Sequence, residues 1–186
     1  MKKTGFAYVL RLALTLLAIT AVMAVALTVV NRLTAPVIAE SNEAKVQEAV
    51  ERVLPGGGLV VEFTDDTGLV NMVWASEKGY AVQVAPSGFD GPITMMVGID
   101  KEGKVLGISV ISNTETAGLG AVAAANNAKG QAFRNQFIGM TDAISVIKDG
   151  GQIDAITGAT VTSRAVCEGI NAALACVEKL QQEVQS

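Results

Sequence analysis

Nineteen consecutive residues, Leu12 to Val30, carry no charge and no strongly polar group. A helix rises about 1.5 Å per residue, so a run of this length covers the ~30 Å hydrocarbon core of a bilayer. Lys2, Lys3 and Arg11 precede the run, Arg32 follows it, and every acidic residue lies beyond Val30. Positive charge gathered before the span predicts an N-terminus in the cytoplasm and a translocated remainder. A cleaved signal peptide is the competing assignment, because Ala24-Val25-Ala26 has the small-residue form of a cleavage site. Signal cores run to about 7–15 apolar residues, however, and this one is longer. We therefore expect a retained, single-pass anchor. Its many small residues, among them Ala13, Ala18, Ala21, Ala24 and Ala26, would let a neighbouring helix approach closely.

After Arg32 there are ten basic and eighteen acidic residues, a formal balance of −8. Such a domain has no basic patch for nucleic acid and no polybasic run for a membrane surface. About 155 residues suffice for one domain with its own core. The chain has no histidine and two cysteines, Cys167 and Cys176. Nine residues apart on one helix places them roughly 13 Å apart along the axis, too far for a disulfide. They read as buried small hydrophobes. Zinc, haem and iron–sulfur centres find almost no ligands here, and a Ser-His-Asp or Cys-His set is excluded. We expect no metal site and no catalytic residue.

Thr34–Ile38 continues or bends the first helix around Pro36. Val46, Ala49, Val50, Val53 and Leu54 then share one face of an amphipathic helix that Pro55-Gly56-Gly57-Gly58 stops. Five apolar runs bounded by turn residues follow: 59–63, 69–74, 79–84, 93–99 and 104–111. Lys129–Gly139 reads as a short helix with Phe133 and Phe137 as a core pair, and Thr141–Ile147 as a short strand. The last helix starts at Thr160 or Thr162 and carries Val166, Ile170, Ala173, Leu174, Val177 and Leu180 on one face. The class is α+β: one transmembrane helix, then a domain in which a mostly antiparallel sheet is packed by helices.

Two stretches stand out chemically. Asp154-Ala155-Ile156-Thr157-Gly158-Ala159-Thr160-Val161-Thr162-Ser163 follows the turn Asp149-Gly150-Gly151 and opens the last helix. Small residues there admit a bulky ligand to the backbone, and unpaired first-turn N–H groups suit a phosphate. An ordinary N-cap is the plainer reading of the same hydroxyls. Thr114-Glu115-Thr116-Ala117-Gly118-Leu119-Gly120 leaves the fifth strand; taken alone it is a surface loop. Lys129 and Arg134 fit a solvated face better than an anion site.

Asp154-x-x-Thr157-Gly158-Ala159-Thr160 resembles the flavinylation motif of FMN-binding domains, Asp-x-x-Ser/Thr-Gly-Ala-Thr. The 114–120 loop is similar to the Thr-Glu-Thr-Pro-Gly-Leu-Gly loop of the same family, with Ala117 where proline is usual. The departure loosens the loop slightly and removes no polar group. The family includes the G subunit of the Rnf-type ion-translocating electron-transport complex and the C subunit of the sodium-pumping NADH:quinone reductase. The short chain and compact loops suit the first.

The resemblance implies that a flavin transferase joins FMN through a phosphoester to Thr160, with Asp154 helping recognition or activation. Thr157, Gly158 and Ala159 would give clearance for the phosphate and ribityl chain. Thr162 and Ser163 would donate hydrogen bonds to the phosphate, and Glu115, Thr116 and Leu119 would line the ring or ribityl side. It further implies an electron relay in a multi-subunit complex of the cytoplasmic (inner) membrane, with other subunits as partners and no nucleic acid. The expected segments are a cytoplasmic N-terminus (1–11), a transmembrane helix (12–33), a connecting helix (34–57) and an extracytoplasmic FMN-binding domain (58–186). A sodium-translocating NADH:quinone reductase component, a membrane-anchored flavin-binding sensor or carrier, and a self-standing redox enzyme are the alternatives. The enzyme is disfavoured because no acid–base set is present.

Overall fold

The structure is a computed structural model that describes residues 3–141 and 143–185. Lys2, part of the basic flank, lies outside the described residues. The chain divides into two compact units, residues 1–44 and 45–186.

Helix α1 runs from Lys3 to Val53 without interruption at Pro36. A proline inside a helix removes one N–H and crowds the preceding turn, yet one lost hydrogen bond in a helix of this length does not end it. In the first unit the threonine hydroxyls return to the helix's own carbonyls. Thr15 donates to Leu12 O at 2.8 Å, Thr20 to Leu16 O at 3.0 Å, Thr28 to Ala24 O at 2.7 Å and Thr34 to Val30 O at 2.9 Å. Each of these exposed hydroxyls thus has its donor satisfied within the helix, as a helix in hydrocarbon requires. Among the described residues this is the one helix long and apolar enough to cross a membrane.

The second unit is built on a five-stranded antiparallel meander: β1 (Leu59–Val61), β2 (Val70–Ala75), β3 (Gly79–Val84), β4 (Thr94–Asp100) and β5 (Val105–Ser112), in that spatial order. Side chains alternate across a strand, so each face has its own core. Val73, Val82, Val84, Met95, Val97 and Ile99 join Val166, Ile170, Ala173 and Val177 of α3 (Thr160–Gln185) in the larger one. Trp74, Ala81 and Met96 on the reverse face pack with Ala49, Val50, Val53 and Leu54 at the end of α1. The sheet is thus sandwiched, and one face of α3 is buried from its first turns onward.

Helix α2 (Ala128–Asn135) is capped by Asn127, whose side chain accepts from Gly130 N at 2.9 Å. Phe133 and Phe137 meet edge to face in the core, centroids 5.3 Å apart. The expected strand at 141–147 is absent among the described residues; only an isolated bridge, Val146 to Ile153, forms. Asp142 in that stretch lies outside the described residues. The cause is a distant side chain. Asn171 of α3 accepts from Ile144 N at 3.1 Å and donates to Ile144 O at 2.8 Å, so Ile144 is satisfied by an amide rather than by a neighbouring strand.

Candidate functional site

The start of α3 is held by two hydroxyls that point into the protein. Ser163 Oγ donates to Ala159 O at 3.0 Å and accepts from Ile156 N at 3.0 Å, which folds Ile156–Ala159 into a turn. Ala159 N closes that turn on Ile156 O at 2.8 Å. Gly158 adopts φ +77°, a left-handed conformation that favours glycine, and a side chain there would also press on Leu119 Cδ2 at 3.0 Å. Thr162 Oγ1 donates to Glu115 Oε2 at 2.7 Å.

Glu115 is the second anchor. It is buried, and its other oxygen, Oε1, accepts from Phe89 N at 2.7 Å and from Asp90 N at 3.3 Å. Thr114 Oγ1 donates to Asp90 O at 2.6 Å alongside. One carboxylate therefore joins three pieces of chain: the 87–92 loop, the 114–120 loop and the first turn of α3. Gly120 makes room for it, since a Cβ there would lie 2.1 Å from Glu115 Oε2.

These anchors leave a cleft of about 350 Å³ between the two motif loops. Seven of the ten predicted residues line it: Glu115, Thr116, Leu119, Gly158, Ala159, Thr160 and Thr162. Asp154, Thr157 and Ser163 do not. Ser163 is fully buried beneath the turn. Asp154 and Thr157 are exposed and line a neighbouring cleft of about 490 Å³ with Lys129, Phe133 and Gln136. There Gln136 clamps the backbone of Asp154, accepting from its N at 2.8 Å and donating to its O at 3.2 Å. Its carboxylate has no hydrogen-bond or ion-pair partner among the described residues.

Two residues of the first cleft carry no signal in either motif. Phe89 stands 72% exposed at its edge, on a loop whose backbone Glu115 fixes. Lys148 reaches in from the turn Ile147–Asp149, its Nζ 3.3 Å from Thr160 Oγ1. An aromatic between Gly88 and Asp90-Gly91, in a loop otherwise built for turning, was the available hint for Phe89. For Lys148 the hint was weaker: opposite charges at Asp149 and Arg164.

Arg134 is spent elsewhere. Its Nη1 donates to Ala123 O at 2.6 Å and Ala125 O at 3.1 Å, and it is part-buried rather than solvated. Desolvation, with a smaller contribution from Arg52, lowers its pKa. Burial pushes the Cys167 and Cys176 thiols up to about 11, so neither offers a thiolate at neutral pH. Cys167 lines a wider groove of about 590 Å³ that contains none of the ten predicted residues. Among the described residues no group of His, Cys, Asp and Glu is placed to hold a metal ion.

The Thr160 cleft offers surfaces of two kinds, one suited to a phosphate and one to an apolar ring. Its hydroxyl is partly exposed beside a lysine at the head of a long helix, which suits a phosphate. Leu119, Phe89 and Val161 give apolar surface beyond it, which suits a flat ring.

Residues 88–175 match the model of the FMN-binding domain family. The chain is 36% identical over 154 residues to the G subunit of the proton-translocating ferredoxin:NAD(+) oxidoreductase complex of Clostridium ljungdahlii, covering 76% of this chain and 77% of that protein. It is 33% identical over 184 residues to the G subunit of the ion-translocating oxidoreductase complex of Stutzerimonas stutzeri, covering 87% and 78%. It is 30% identical over 200 residues to the G subunit of the Na(+)-translocating ferredoxin:NAD(+) oxidoreductase complex of Acetobacterium woodii, covering 94% of each. A solved structure, the C subunit of the Na(+)-translocating NADH-quinone reductase of Parabacteroides distasonis, has a TM-score of 0.44 at 24% identity over 56% of this chain and 58% of that one. The two motif loops meeting at one cleft, the family match and the three relatives together lead to one assignment: the chain belongs to the family of G subunits of ion-translocating oxidoreductase complexes and contains an FMN-binding domain.

Proposed function

We propose that this chain is the electron-relay subunit of a membrane-bound, ion-translocating ferredoxin:NAD oxidoreductase, and that it carries FMN covalently on Thr160. The observation that carries the reading is the Thr160 hydroxyl: it lies in the cleft and meets Lys148 Nζ at 3.3 Å, whereas the Thr162 hydroxyl and the Glu115 carboxylate of the same cleft are bonded to each other. Maturation joins Thr160 Oγ to the flavin-side phosphorus of FAD. The Oγ–P bond forms, the P–O bond to AMP breaks, and the hydroxyl proton passes to a base of the flavin transferase. Bound flavin supplies one- and two-electron redox chemistry that side chains lack. The protein's part would be to hold the phosphate at Thr160 and to offer Leu119 and Phe89 as apolar surface to the ring.

Asp154 serves the transferase rather than the finished site. It is exposed, without a partner among the described residues, and turned to the neighbouring cleft. Helix α1 spans the cytoplasmic membrane once through residues 12–33, with the N-terminus inside. Residues 34–57 connect it to the domain at 58–186, which faces outward, where a tethered cofactor is not lost by dissociation. Other subunits of the complex are the electron donors and acceptors. Relatives at 36% and 30% identity are named for protons and for sodium, respectively.

The test is fluorescence of the denatured protein on a gel. The full-length chain co-expressed with a flavin transferase should give a fluorescent band, and Thr160→Ala should give none. A fluorescent Thr160→Ala band would refute the attachment site. Co-purification of multi-span subunits from detergent-solubilised membranes tests the relay; a chain that purifies alone contradicts it.

A further inference from the structure

Lys148 is the one charged side chain that reaches the Thr160 hydroxyl among the described residues. Its position is enforced by the fold around it. The turn Ile147–Asp149 is closed by Asp149 N on Val146 O at 2.9 Å, Gly150 N on Ile147 O at 3.0 Å and Gly151 N on Val146 O at 3.1 Å. A two-pronged ion pair docks that turn on α3: Arg164 Nε donates to Asp149 Oδ2 at 2.6 Å and Nη2 to Oδ1 at 2.7 Å. Arg164 lies one helical turn beyond Thr160, so the same fork that fixes the turn carries Lys148 to the hydroxyl. The fork also consumes the charge of Asp149, and Lys148 forms no ion pair with a carboxylate among the described residues. Like other exposed lysines, Lys148 can spread over many rotamers. Here it is directed at a neutral oxygen, a weak partner for a full charge.

We propose that Lys148 is the charge partner of the phosphate that joins Thr160 to the flavin, and that its ammonium speeds the joining. The inference rests on the reading that Thr160 carries FMN. As the Oγ–P bond forms and the P–O bond to AMP breaks, negative charge gathers on the phosphoryl oxygens. Lys148 keeps its protons throughout and opposes that charge. The finished phosphodiester retains one negative charge, which Lys148 neutralises. Lys148 is a positioning and electrostatic residue, not the base that takes the hydroxyl proton.

The experiment follows covalent loading of the full-length chain in detergent, with FAD and purified flavin transferase, by intact mass over time. Lys148→Gln should lower the initial rate by roughly tenfold, in line with removal of one preorganised electrostatic donor. Lys148→Arg should restore most of it, because the charge is what matters. The gap between wild type and Lys148→Gln should narrow as salt rises, since exposed charges are screened over about 10 Å at 0.1 M. Equal rates for wild type and Lys148→Gln, or a gap unchanged by salt, would overturn the role. Phosphorus NMR of the loaded proteins gives a second readout: the linking phosphate should shift in Lys148→Gln, and an unchanged resonance counts against the pairing. Thr160→Ala separates the two claims. If it loads as well as wild type, the attachment reading fails. If it stays bare while Lys148→Gln loads at full speed, only the lysine's role falls.

Discussion

Each motif loop of this domain contributes one acid, and the two are treated in opposite ways. Glu115 is buried and accepts three hydrogen bonds that tie together the 87–92 loop and the head of α3. Asp154 is exposed, its backbone clamped by Gln136 and its carboxylate without a hydrogen-bond or ion-pair partner among the described residues. A motif written as a string of residues gives both acids equal weight. The fold separates them into one that makes the cleft and one that faces whatever comes from outside. The hydroxyls divide in the same way. Thr162 and Ser163 donate inward, whereas Thr160 is left to the cleft.

The largest effect expected from this division is on Glu115. Glu115→Ala removes a buried carboxylate with three partners and should lower the unfolding free energy by about 3 kcal/mol, as loss of hydrogen bonds to a charged group does. Glu115→Gln keeps one acceptor for Phe89 N and should cost roughly half as much. Urea unfolding of the detergent-solubilised chain measures both. A Glu115→Ala protein as stable as wild type would break the comparison at its stronger end. Ser163→Ala comes next. It leaves Ile156 N without its acceptor and should cost ~1–2 kcal/mol, with the Ile156–Ala159 turn loosened. Hydrogen exchange at Ile156 and Ala159 reads that loosening directly.

Asp154→Ala sharpens the other side. Stability should change by less than about 0.5 kcal/mol, as expected for an exposed residue that no partner holds. Covalent flavin incorporation should nevertheless fall severalfold or more. A variant that is destabilised, or one that loads normally, would move Asp154 into the class of Glu115.

The strands were readable because each is an apolar run bounded by glycine, aspartate or proline, and turn residues fix where a meander reverses. The face of α3 was readable for the same reason: Val166, Ile170, Ala173 and Val177 recur at helical spacing and are buried. The stretch at 141–147 misled because its apolar residues imitate a strand, while Ile144 is bonded by the Asn171 side chain 27 residues away and Ser145 and Ile147 by the backbone of 152–153. The site shows the same limit. The resemblance to FMN-binding domains marked both motif loops, but the 47-residue link from Glu115 to Thr162 forms only because the loop that leaves β5 folds back onto the first turn of α3. Nothing in the sequence distinguishes a serine that caps a turn from one that meets a phosphate, and the charges at Asp149 and Arg164 say only that the turn docks on the helix, not that Lys148 meets Thr160.

The smallest effect concerns the fork that carries Lys148. The Arg164 hydrogen bond is the main cause that lowers the Asp149 pKa below 3.8, with the charges of Arg164 and Lys148 adding to it. A depressed folded-state pKa means that the stabilisation is complete above the unfolded value and is lost as pH falls through the folded one. Asp149→Asn should therefore leave stability almost unchanged in strong acid and reduce it slightly above about pH 4, flattening the acid limb of the stability curve. The pair is solvent-exposed, so salt should shrink the difference further. The comparison between inward and outward groups makes one more demand on this variant. If the fork matters only for stability, its loss should be invisible to flavin loading at neutral pH. If it holds Lys148 at Thr160, Asp149→Asn should slow loading even where the folded fraction is complete, and adding Lys148→Gln to it should slow loading no further than Lys148→Gln alone.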